Sequence, residues 1–207
     1  NSYNRWIFPR YIMFLELNGI PQFTDCGKLV STLPFLHANR TNEEYLLLIG
    51  MEGSLHIRVG EAACTIKPRD TMLILPGVPI SGLIPSRNLT YFWCHFDMTG
   101  ACRLLSQPEA LSRYQLMLQP GTETDTLLIP QAFHLVNSSI IFSQQLLNYR
   151  CCPEYPKAIL HNLMGCLLLE LSTQAADNFS SYSAGKNHQR LQEILQWIRV
   201  NACMKIT

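Results

Sequence analysis

Between residues 45 and 96 the chain is a series of short apolar runs cut by glycine and proline. Residues 45–49 form one run, ended by Gly50; Leu55, Ile57 and Val59 then alternate with His56 and Arg58 between Gly53 and Gly60. Residues 71–75 stop at Pro76-Gly77, and residues 89–96 make the last strong run. A period of two marks a strand with one buried face, and Gly or Pro between such runs marks turns. Many short, evenly spaced strands need closure or a second sheet to hide their edges, which predicts a β-barrel or jelly roll.

After Gly100 the pattern changes. Ser106-Gln107-Pro108-Glu109 has the spacing of a capping box with proline near the first helical position. Residues 126–129 are a brief apolar run, residues 137–149 read as a helix, and residues 155–176 read as a longer one. On the longer helix Ile159, Leu160, Leu163, Met164, Leu167, Leu168 and Leu171 form a stripe of helical period. Such a stripe marks an interface when exposed, so Leu160, Leu163, Met164, Leu167, Leu168 and Leu171 are expected to form a dimerisation surface, with packing against the barrel as the alternative. Residues 179–189 read as a Ser/Gly-bearing linker. Leu191, Ile194, Leu195 and Ile198 then start a final helix. The expected fold is mainly β with α: a barrel with an amino-terminal arm over 1–104, a helical dimerisation region over 105–178, the linker over 179–189, and the beginning of another domain over 190–207.

With 207 residues, 47% of them hydrophobic, the chain can build one good core. Its 16 basic and 15 acidic residues nearly cancel. A nucleic-acid grip needs a basic stripe to neutralise phosphates, so this region is not expected to hold DNA itself. The eight cysteines contain no CxxC pair, which argues against a zinc knuckle. Several lie in apolar runs, where a reduced thiol acts as a small hydrophobe. No segment has the length and apolarity of a membrane span, and a cytoplasmic location is expected.

The strand over 89–96 carries the candidate site. Alternate residues share a strand face. Tyr91, Trp93 and His95 therefore point one way, and Phe92, Cys94 and Phe96 the other. The first face sets three hydrogen-bonding rings in a row, the composition of a small-molecule pocket. Arg40 and His37, ahead of the strand at Tyr45, are within reach of the barrel mouth, and Arg40 suits an anionic or hydroxyl-rich ligand.

The same region resembles the cupin barrel, with a difference. His37-Ala38-Asn39, Glu43 and Gly50 fall on the His-x-His, Glu and closing Gly of the cupin metal motif, and Ile80 stands where its last histidine belongs. Asn39 and Ile80 thus replace two of four ligands. A transition metal needs three protein ligands as a rule, so no metal and no cofactor are expected. A metal-dependent cupin enzyme with an atypical site on His37 and Glu43 is the alternative.

Taken in order, Arg5-Trp6, Pro9-Arg10-Tyr11, Glu52-Gly53, Pro68-Arg69-Asp70, Leu75-Pro76-Gly77 and Trp93-Cys94-His95-Phe96 are similar to the regulatory domain of AraC-type (arabinose-regulator-like) transcription factors. Ile194-Leu195-Gln196-Trp197-Ile198 and Lys205-Ile206-Thr207 resemble the start of that family's DNA-binding domain, as if the chain broke off there. The resemblance implies a non-enzymatic sensor and a homodimer. A small-molecule effector, a sugar among the candidates, would bind in the barrel and control promoter binding by a helix-turn-helix domain. It implies ligand contacts at Tyr91, Trp93 and His95, and an arm around Pro9 that closes over the ligand. Two positions depart from the family pattern: Arg69 stands where glycine is preferred, and Ile80 where histidine is usual.

Overall fold

A computed structural model describes residues 13–117, 126–135, 140–152 and 154–184. The arm with Pro9 and the final helix over 190–207 lie outside the described residues. The first ten strands are β1 (Phe14–Leu17), β2 (Pro21–Ser31), β3 (Arg40–Thr41), β4 (Tyr45–Glu52), β5 (Leu55–Val59), β6 (Ala62–Ile66), β7 (Asp70–Ile74), β8 (Pro79–Gly82), β9 (Leu89–Met98) and β10 (Cys102–Leu105). Then come α1 (Gln107–Met117), β11 (Leu127–Pro130), β12 (Ala132–His134), α2 (Ile140–Arg150) and α3 (Ala158–Ala184).

A five-stranded sheet, β12-β7-β4-β9-β2, faces a four-stranded sheet, β3-β8-β5-β6, and every described strand pairing is antiparallel. The mainly β, jelly-roll architecture is therefore as the sequence implied. The two sheets enclose one core, where Leu46, Leu48, Ile57, Ile66, Ile74 and Ile80 meet. The outer face of the five-stranded sheet bears a second core, built with α2 and α3 from Leu47, Ile49, Phe92, Phe96, Leu146 and Leu168. This double burial explains the unbroken apolar run in β4: a strand covered on both faces has no reason to alternate. On β5 one face is covered, and the alternation appears, with Leu55 and Ile57 inside and Arg58 in water.

At the expected start of α1, Glu109 supplies its half of the capping box: its Oε2 accepts the Ser106 N–H at 2.8 Å and the Ser106 hydroxyl at 2.7 Å. Among the turns that use left-handed backbone, two bear on the sequence reading. Gly77 takes φ 76° after Pro76 without steric cost, and Arg69 takes φ 71° before Asp70. The second value is the physical reason a glycine is preferred at Arg69.

Three expectations need correction. Residues 105–178 are not wholly helical, because β11 pairs with β1 and β12 with the edge strand β7. The edge of β7 needs partners for its backbone, and Leu73 N–H donates to the Gln131 carbonyl at 2.8 Å. The long helix begins later and runs on through the expected linker to Ala184. No glycine or proline interrupts the serines before Gly185. Finally, the apolar stripe does not face outward. Met164, Leu167, Leu168 and Leu171 are 0% exposed and pack on Phe92, Cys94 and Phe96, with Leu160 and Leu163 half-buried at the margin. Burial against the chain's own sheet leaves these six residues little or no area for a second copy. The outward face of α3 carries Leu169, which is exposed.

The helix is tied down by polar contacts as well. His161 Nδ1 accepts the Phe23 N–H at 2.9 Å, and Ser172 bonds both the N–H and the carbonyl of Leu128. Among the described residues no helix is long and apolar enough to cross a membrane.

Candidate functional site

The inward face of β9 changes character along its length. Leu89 and Tyr91 are buried in aliphatic core, Trp93 and His95 are partly open, and Asp97 is in water. Cross-strand partners follow the same gradient. Tyr91 lies opposite Leu29 and Gly50, Trp93 opposite Gly27 and Leu48, and His95 opposite Asp25 and Leu46. Gly27 is what allows Trp93 its place: a Cβ there would come within 2.5 Å of the indole Cζ2 and 2.9 Å of its Nε1. The indole therefore lies directly on the Gly27 backbone, and the His95 ring stands edge-on beside it, 5.6 Å between centroids.

At the polar end of this face opens a cleft of about 550 Å³, lined by Asp25, Thr41, Asn42, Glu43, Glu44, His95 and Asp97. It is built from three separate pieces of chain: the β2 bulge between Phe23 and Asp25, the β3–β4 connection, and the end of β9. His95 Nδ1 lies 3.6 Å from Glu44 Oε2. Burial holds the His95 imidazole below the ordinary histidine range; Glu44 opposes that shift and Arg40 adds to it. The Asn42 amide nitrogen is shut off from water with no hydrogen-bond partner, an unmet donor in the cleft wall.

The described residues singled out in the sequence as ligand contacts lie at different depths of the barrel. Arg40 is exposed on β3, and its charge acts on His37, Tyr91 and His95 alike. Burial pushes the Tyr91 phenol up to about 12, with Arg40 pulling the other way. His37 is 8% exposed and donates from Nδ1 to the Ala38 carbonyl at 2.8 Å, which leaves Nε2 as an acceptor. Burial also holds His37 below its ordinary range. Phe35 joins His37 to Tyr91, with centroid distances of 6.4 Å to each ring. Of these residues, His95 is the one that lines the cleft. Tyr91 packs in the barrel core, so it supports the site from below and does not wall it.

Sequence reasoning missed Asp25, Thr41, Asn42, Glu44 and Asp97. Asp97 was within reach of it, since the alternation that joins Trp93 to His95 continues to Asp97. Asp25 was not, because the bulge resets the phase of β2. Among the described residues, no three His, Cys, Asp or Glu side chains gather as a metal would require. Ile80, at the position of the missing cupin histidine, is 1% exposed in the barrel core. The donor set near His37 and Glu43 does not fit a transition metal.

The chemistry of the cleft is that of an acceptor. Asp25, Glu43, Glu44 and Asp97 supply carboxylate oxygens, which accept hydrogen bonds from hydroxyls and nitrogen donors and repel anions.

Comparison with known proteins gives one informative match. The model of the AraC-like ligand binding domain family matches residues 35–181. No curated protein matches the chain. Among solved structures, the ribosomal oxygenase YcfD of Escherichia coli, in complex with cobalt and succinic acid, aligns at 18% identity with TM-score 0.33. That alignment covers 78% of this chain and 41% of the oxygenase, so the chain spans less than half of that protein. A second structure of YcfD aligns at 14% identity with TM-score 0.31, over 80% of this chain and 56% of that one. The family match takes in the barrel strands from β3 onward, every cleft residue except Asp25, α2 and most of α3, and the chain belongs to the AraC-like ligand binding domain family.

Proposed function

We propose that this chain is the effector-sensing region of an AraC-type transcriptional regulator, that it is not an enzyme, and that its ligand occupies the cleft at His95. The observation that carries this reading is the family match over a barrel whose inward aromatic face ends in a polar cleft. Trp93 offers a flat surface beside the cleft, and the carboxylates around His95 offer hydroxyl acceptors. A neutral, hydroxyl-rich molecule such as a sugar meets both, whereas an acidic metabolite meets repulsion from the carboxylates. The protein acts in the cytoplasm as a homodimer. Since the α3 stripe is buried, the dimer uses the outward helix surface around Leu169. Effector binding changes how the regulator's helix-turn-helix domain is presented to promoter DNA.

A ligand that binds only the folded state raises its stability. Thermal melting against a panel of neutral sugars, amines and carboxylic acids is therefore the test. A shift with a neutral sugar, lost in Trp93→Ala, is the expected result. A shift confined to carboxylic acids would overturn the choice of ligand class, and a shift retained in Trp93→Ala would overturn the site.

A further inference from the structure

Asp25 belongs to two structures at once. Its side chain lines the cleft, on the strand position opposite His95. The same carboxylate holds the last residue of α2: Arg150 Nε donates to Oδ1, and Arg150 Nη2 donates to Oδ2 at 3.2 Å. Oδ1 also accepts the Cys26 N–H at 2.9 Å. Both carboxylate oxygens are thus engaged, Oδ1 by two donors and Oδ2 by one, and an arginine fork takes the pair as a unit. The rest of α2 is fixed by apolar packing through Leu146, with Phe142 and Leu147 at the edge of the same core. Its carboxyl-terminal end is secured to the barrel through Asp25.

We propose that Asp25 couples the cleft to helix α2: a cleft occupant that offers Asp25 a hydrogen-bond donor competes with Arg150 and loosens the end of α2. The competition follows from geometry. A donor placed on His95 lies beside the carboxylate directly across the strand pair, and an occupant that brings a positive charge or a pair of donors draws on the same oxygens that hold the guanidinium. By linkage, the effect runs both ways: whatever detaches Arg150 improves the cleft for a donor, and a donor in the cleft detaches Arg150. Asp25 and Arg150 side chains are each more than two-fifths exposed, which sets a modest coupling. Asp25 is here a positioning residue for α2 as well as a wall of the site.

The coupling rests on the cleft being the effector site, but its test needs no effector. Asp97→Arg places a guanidinium in the cleft, on the same strand face as His95 and in an exposed position. Asp97→Asn removes the charge without adding a donor fork. In the full chain, amide hydrogen exchange over residues 142–150 should be faster in Asp97→Arg than in Asp97→Asn by about fivefold. In an Asp25→Asn background the two should be equal. The reverse direction is read by NMR titration of His95. Arg150→Gln frees the Asp25 carboxylate, so the measured His95 pKa should rise relative to wild type. Equal exchange in the two Asp97 variants, or an unmoved His95 titration in Arg150→Gln, would overturn the coupling while leaving the site itself untouched. A ligand panel with no binder would overturn the site and leave the exchange result standing.

Discussion

Strand β9 has two faces that obey different rules. Toward the helices, Phe92, Cys94 and Phe96 are at most 1% exposed and pack in a core with neighbours such as Met164, whose sulfur lies 3.5 Å from Cys94 Sγ. Burial above all keeps the Cys94 thiol well above its ordinary range, with Cys26, Asp25 and Glu44 adding to the shift. Toward the barrel, the same strand passes from the aliphatic packing of Leu89 to the open carboxylate of Asp97. One backbone therefore carries stability on one side and chemistry on the other. A change on the dry face should cost folding energy. A change at the polar end should cost recognition and leave the fold standing.

The largest effect belongs to the dry face. Leu168→Ala removes a fully buried side chain from the core under β9 and should cost about 2–5 kcal/mol in denaturant unfolding. Asp97→Ala, at the exposed polar end of the same strand, should stay within about 0.5 kcal/mol. Equal losses would erase the distinction between the faces. A middle-sized effect is expected where the two regimes meet. Gly27→Ala drives a methyl into the Trp93 indole and should cost about 1–3 kcal/mol as overpacking, and it should also weaken the ligand-induced thermal shift. A loss of stability without a loss of ligand response would show that the indole has no part in binding.

The smallest effect is the pH dependence of the polar end. His37 and His95 are both held below the ordinary value of 6.5, chiefly by burial. Near that pH the unfolded chain binds more protons than the native one, so these histidines favour the fold above about pH 6.5. That contribution is lost as pH falls from 6.5 through their lower folded values. The unfolding midpoint should drop with acidification over this window, and the drop should shrink in a His37→Gln/His95→Gln variant. A midpoint that is flat over the window in wild type would contradict the burial argument.

Much of this division was legible in the sequence. The alternation in residues 89–96 separated Tyr91, Trp93 and His95 from Phe92, Cys94 and Phe96, and the two cores fall on those two sides. Ser106 and Glu109 announced their helix because a capping box is a local device. What was not legible depends on contacts between distant segments. The α3 stripe has helical period whatever covers it, so its pattern could not choose between a second copy and the chain's own sheet. Strands β11 and β12 are too short for a period to show, and they form because the β1 and β7 edges await partners. The cleft unites Asp25, Glu44 and Asp97 from three segments, with a bulge setting the first. Arg69 is a different case: glycine is the expected residue there, and its left-handed backbone shows why.

The central claim is that recognition happens at the polar end of β9, beside Trp93. The chain has three tryptophans, and Trp6→Phe/Trp197→Phe leaves Trp93 alone to report. Titrating this variant with whichever panel compound stabilises the fold, and following its fluorescence, tests the claim directly. A saturable change at the same midpoint as the thermal shift is the predicted result. A clear thermal shift with unchanged Trp93 emission would place the ligand elsewhere and contradict the account.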